Sequence, residues 1–135
     1  MSCSGSDEIV TRIRRRLPDV VAIYRFGSSG TPHERRDSDV DLAVLSARPL
    51  DPVARWELAQ ALAGLLHRDV DLVDLLRAST VLRAQVVAYG ARLYCADERV
   101  CATFEDYAFS SYARLNEERH EILADIRARG SVYGG

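Results

Sequence analysis

The chain has no lysine: all eighteen of its basic residues are arginine. That absence excludes a Walker-type P-loop, in which a lysine after the last glycine reaches the phosphates. Cysteine is scarce as well, limited to Cys3, Cys95 and Cys101. An odd count without metal-ligand spacing argues against a disulfide framework and fits reduced thiols in the cytoplasm. No run approaches the roughly 18 apolar residues of a membrane span, and the polar start "MSCSGSDE" lacks the apolar core of a signal peptide. Charge of one sign is not in excess either. The net charge is −2, so no overall field draws the chain onto nucleic acid or a membrane, and neither is expected as a partner.

What is present suits one small folded domain of 135 residues, large enough for a single core with little left for a second lobe. Ser6 is placed to cap a first helix, "DEIVTRIRRRL", with acids in its first turn and arginines in its last. "VVAIYRF" (Val20 to Phe26) reads as a strand stopped by Gly27, and "SSGTPHERRDS" as loop. "DVDLAVLS" (Asp39 to Ser46) is a second strand. Asp51 and Pro52 open a helix that runs to about Leu66. Its expected apolar face is Val53, Trp56, Ala59, Leu62, Ala63 and Leu66. "DVDLVDLL" is a third strand, "STVLRAQVVAY" a helix closed by Gly90, and "ARLYC" a short final strand. Residues from about Glu98 to Arg129 read as mostly helical, ahead of a loose tail.

The order α-β-β-α-β-α-β-α places the chain in the α/β (α+β) class, with a mixed sheet of about four strands flanked by helices. The eleven-residue loop between the first two strands lacks a crossover helix and can join antiparallel neighbours. Residues 1–96 form the sheet and its helices, and residues 97–130 a long C-terminal helical segment.

The chemistry gathers in the aspartates. Side chains alternate along a strand, so Asp39 and Asp41 share one face while Val40, Leu42 and Val44 share the other. Two carboxylates so close repel each other, and burial adds a desolvation cost to each. Mg²⁺ resolves that conflict, because it takes one or two carboxylates together with substrate phosphates. The third strand repeats the pattern with Asp69 and Asp71 on one face and Asp74 on the opposite one. If the two strands are neighbours, Asp71 can complete a three-carboxylate site for two ions, with Asp69 the next choice. Asp74 reads as a strand-end or surface acid. The turn "GSSG" supplies a complement: Gly27 allows close backbone approach, and Ser28 offers a hydroxyl and an amide to phosphate oxygens. Arg35 and Arg36 are placed either to meet a triphosphate or to stand as solvated loop charges.

Gly27-Ser28, ten intervening residues and then Asp39-Val40-Asp41 resembles the signature of the DNA polymerase β-like nucleotidyltransferase superfamily. The short length and the later "VDLVDL" are similar to its minimal nucleotidyltransferase (MNT) branch. The resemblance runs from about Ile23 through Tyr94. It implies a nucleotidyltransferase fold, a nucleoside triphosphate bound through Gly27 and Ser28, and metals on Asp39, Asp41 and a third carboxylate best matched by Asp71. It also implies a HEPN-domain toxin as partner, for which such proteins serve as antitoxins, some of them transferring AMP from ATP to a tyrosine of the toxin.

Chain length favours a protein acceptor independently, because beyond the sheet only the C-terminal helical segment remains to build an acceptor pocket. Two alternatives stand beside this reading: an antitoxin that neutralises by binding alone, and a small-molecule nucleotidyltransferase acting on an antibiotic-like alcohol at a subunit interface. Other features have plainer explanations. His33 is expected in the exposed loop. Arg114 and His120 resemble the paired residues of HEPN ribonucleases, but a helical bundle does not match a chain that reads as sheet plus helices. Phe104, Ala108 and Leu115 fit a buried stripe on the last helix. Tyr107, Phe109 and Tyr112 read as core or interface, with Tyr112 and Arg114 open to a partner.

Overall fold

The computed structural model describes residues 5–26 and 40–128, with side chains described over 7–26 and 40–120. Eight elements follow in the expected order: α1 (Gly5–Arg16), β1 (Val20–Phe26), β2 (Val40–Ser46), α2 (Pro52–Leu66), β3 (Val70–Asp74), α3 (Thr80–Tyr89), β4 (Ala91–Cys95) and α4 (Glu98–Ala128). Ser6 lies inside α1 instead of capping it, because the helix begins at Gly5.

Local chemistry sets the helix ends. Asp51 is extended, and its carboxylate accepts the Ala54 N–H at 3.0 Å, while Pro52 occupies the first turn, where no N–H is needed. The same helix ends on His67 in the left-handed conformation, φ 56°, with its N–H donating to the Ala63 carbonyl. Ser79 caps α3 by accepting the Leu82 N–H at 3.1 Å.

The sheet has the order β3-β2-β1-β4. β1 runs antiparallel to both β2 and β4, and β2 runs parallel to β3. As antiparallel neighbours β1 and β2 need no crossover, whereas the parallel step to β3 uses α2 for that purpose. Alternation along the strands gives two cores. Ile23, Val40, Leu42, Val44 and Leu72 meet Ile9 and Ile13 of α1 and Leu58 and Leu62 of α2 on one face. Ala22, Tyr24, Ala43 and Leu45 meet Val86 of α3 and Cys101 of α4 on the other.

The expected face of α2 needs correction. Val53 and Trp56 are each 62% exposed, and the buried residues are Leu58, Ala59 and Leu62. At 100° per residue the helix turns Val53 and Trp56 away from a face centred on those three. Arg55 occupies the leading end of that face, and its guanidinium donates to the Leu72 carbonyl at 2.8 Å, covering the open edge of β3.

Gly90 ends α3 in extended backbone. A Cβ there would stand 2.4 Å from the Val86 carbonyl oxygen and 3.1 Å from that of Arg25. The missing side chain lets α3 close directly over the end of β1.

Candidate active site

One row of register partners crosses three strands at one end of the sheet. Phe26 pairs with Asp41, and Asp41 pairs with Asp71. The flanking residues fix where these side chains go. Val40, Leu42 and Leu72 enter the α1/α2 core, so Asp41 and Asp71 stand on the opposite, α3/α4 face. Asp41 is half-buried and Asp71 exposed. Neighbouring strands lie about 4.8 Å apart, which brings the two carboxylates within reach of one small cation. Like charges directly opposite each other destabilise a sheet, and a divalent cation between them reverses the sign of that term. The donor set is all hard oxygen and suits Mg²⁺.

The other acids divide by position. Asp69 is exposed and precedes β3, and its carbonyl accepts the Val40 N–H at 2.8 Å, one rung before the Val40–Val70 pair. Asp74 ends β3 as the sequence indicates, but it is buried at 6% exposure and does not face solvent. Its carboxylate accepts the Leu50 N–H at 2.9 Å and the Leu76 N–H at 3.0 Å, with the Arg77 guanidinium 3.9 Å away. Asp74 therefore ties the approach to α2 to the end of β3 and belongs to the scaffold. Gly27, Ser28, His33, Arg35, Arg36 and Asp39 lie outside the described residues. Among the described residues no group of three acidic, histidine or cysteine side chains is gathered for a metal. Asp41 and Asp71 are thus the two members of the expected trio whose placement is described.

On α4, Ala108 and Cys101 are buried and Phe104 and Leu115 half-buried. Tyr107 and Phe109 are 62% and 46% exposed, which removes them from the core. Tyr89, beside Gly90, is 85% exposed. Tyr89, Phe109 and Tyr112 line a cavity of about 340 Å³ with Ala84, Gln85 and Ala88, between α3 and α4. Arg114 and His120 are exposed.

A network absent from the sequence reading holds α4 against the sheet. The buried Tyr24 hydroxyl donates to Glu105 at 2.9 Å, and Arg92 of β4 reaches Glu105 at 3.2 Å and Glu98 at 3.0 Å. Burial, then the hydrogen bond to Glu105 and the charge of that carboxylate, raise the Tyr24 pKa well above its ordinary value. Tyr24 and Glu105 are 81 positions apart, and no local pattern announces such a pair. Among the described residues no helix is long and apolar enough to cross a membrane.

The chain is similar to known proteins over most of its length. A family model described as polymerase beta, nucleotidyltransferase, matches residues 8–99. The protein adenylyltransferase MntA of Shewanella oneidensis is 44% identical over 124 residues, which cover 92% of this chain and 88% of that one. A crystal structure of a toxin–antitoxin with AMP-PNP contains a chain that superposes with TM-score 0.81 at 43% identity, covering 90% of this chain and 98% of its own. A structure of a tri-AMPylated Shewanella oneidensis HEPN toxin in complex with MNT antitoxin gives TM-score 0.76 at 41% identity, covering 91% and 96%.

Proposed function

This chain belongs to the polymerase β nucleotidyltransferase family, and on that premise we propose that it is a cytoplasmic antitoxin transferring AMP from ATP to a tyrosine of a HEPN-domain toxin. The observation that carries the reading is the Asp41–Asp71 register pair on the open α3/α4 face, in a chain alike over nine-tenths of its length to a protein adenylyltransferase.

In this reading Asp39, Asp41 and Asp71 hold the Mg²⁺ ions, Gly27 and Ser28 receive the phosphates, and Arg35 and Arg36 meet the triphosphate's outer oxygens. The bound cations would supply charge neutralisation at the α-phosphate and the departing pyrophosphate. Asp71, exposed on the reacting face, takes the proton of the incoming tyrosine hydroxyl. A bond forms from the phenolic oxygen to the α-phosphorus, and the bond to the bridging oxygen breaks in line. Pyrophosphate leaves with the electron pair. A protein acceptor is supported by the exposed aromatics Tyr89, Tyr107 and Phe109, a residue type enriched where partners dock. Within the single domain, residues 1–96 carry the chemistry and residues 97–130 offer the acceptor a wall.

The experiment mixes the protein with ATP labelled at the α-phosphate, Mg²⁺ and the purified HEPN toxin. Label should pass to the toxin, and Asp41→Ala should abolish transfer. An unlabelled toxin with the wild-type protein overturns the proposal. Toxin neutralisation that survives Asp41→Asn would assign the protein to inhibition by binding alone.

A further inference from the structure

At the end of the sheet remote from Asp41, two cysteines outside the nucleotide chemistry flank the carbonyl of Val21, one through its own sulfur and the other through the residue that follows it. Cys95 closes β4, paired with Ala22, and the next residue, Ala96, donates its N–H to the Val21 carbonyl at 2.7 Å. Cys101 sits in the first turn of α4, its N–H bonded to the Asp97 carbonyl, and its Sγ lies 3.9 Å from that same Val21 oxygen. The half-buried Cys95 packs against the cluster that contains the fully buried Cys101. Neither is in a disulfide.

We propose that Cys95 and Cys101 form a redox-active dithiol that closes to an intrachain disulfide under peroxide, pinning the start of α4 to the end of β4. Exposure sets the order of steps. Cys101 is 0% exposed, so the oxidant meets Cys95. The Cys95 thiolate attacks hydrogen peroxide, the O–O bond breaks, and a sulfenic acid forms as hydroxide leaves and is protonated to water. Cys101 then gives up its proton and attacks the Cys95 sulfur. The S–S bond forms, and the sulfenic hydroxyl departs as a second water. Two thiols and one peroxide thus yield one disulfide and two waters. Burial, then the contact with Cys95, push the Cys101 thiol up to about 12, so Cys101 stays protonated and unreactive toward peroxide and enters only at the second step, against the sulfenic acid beside it. A small thiol such as dithiothreitol reverses the bond by exchange.

Peptide mapping tests the pair. Trypsin cuts after Arg92, Arg99 and Arg114, leaving Cys95 and Cys101 on separate peptides that only a disulfide joins. The full chain is treated with hydrogen peroxide, its free thiols are alkylated, and it is digested without reductant. The expected result is the joined pair, retained in Cys3→Ser, lost in Cys95→Ser and released by dithiothreitol. A Cys95 sulfinic acid beside an alkylated Cys101, or a link from either residue to Cys3 in its place, overturns the proposal.

Discussion

Asp41 and Asp71 are register partners on adjacent parallel strands, their side chains on the same face of the sheet. Thirty positions of sequence separate them, and α2 carries the chain across that gap. The pairing depends on the α2 crossover returning β3 in this register: a slip of one residue would turn Asp71 into the α1/α2 core and bring Leu72 onto the α3/α4 face.

Asp74 is the acid whose loss should cost folding. Asp74→Ala leaves the Leu50 and Leu76 N–H groups without their acceptor, and should destabilise the protein by about 2–4 kcal/mol in urea unfolding. Asp74→Asn keeps one carbonyl oxygen in place and should lose less. A near-neutral Asp74→Ala would contradict the structural role given to this carboxylate.

Alkaline stability should report on Tyr24 and Cys101. The folded chain keeps protons on both groups that the unfolded chain releases, since both pKa values are raised on folding. Their contribution is therefore complete below the unfolded values and is lost as pH rises past them. The loss begins near 9.0 for the thiol, continuing toward about 12, and near 10.0 for the phenol. Tyr24→Phe should lower stability at neutral pH by about 1 kcal/mol and flatten the decline above about pH 10, leaving the thiol part. An unchanged alkaline slope would show that Glu105 does not hold Tyr24 as described.

The two faces of α2 should respond in opposite ways. Leu62→Ala empties a fully buried site and should cost about 2–5 kcal/mol. Trp56→Ala should stay within roughly 0.5 kcal/mol. Because Trp56 is the only tryptophan, the fluorescence of the native protein should also be solvent-like and readily quenched by acrylamide. A blue-shifted, shielded emission would restore Trp56 to the core.

Of these two positions the sequence reading holds at Leu62 and fails at Trp56. Periodicity and capping disclosed the order of all eight elements, and the Asp51–Pro52 start of α2 matched to the residue. On α2 the expected face holds at Ala59, Leu62 and Leu66 and fails at Val53 and Trp56, because apolar character alone does not establish burial. Val53 and Trp56 fit a helical stripe, yet in this first turn the contact with the sheet is made by Arg55, itself exposed, through a carbonyl on β3 that the helix sequence does not mention. Asp41 and Asp71 were legible because alternation in a strand fixes the face once one buried neighbour is known. Asp74 was only half legible: its place at the strand end follows from spacing, but its burial depends on Leu50, brought alongside from 24 positions away. The Tyr24–Glu105 contact is purely tertiary.

The most direct test compares AMP transfer to the HEPN toxin by Asp71→Asn and Asp69→Asn, under saturating ATP and Mg²⁺. Removing the register partner of Asp41 should lower the transfer rate by roughly 100-fold or more, the scale of a lost catalytic proton acceptor, with folding intact because Asp71 is exposed. Asp69→Asn should remain close to wild type. The opposite ranking, or equal activity in both variants, would contradict a site built on Asp41 and Asp71.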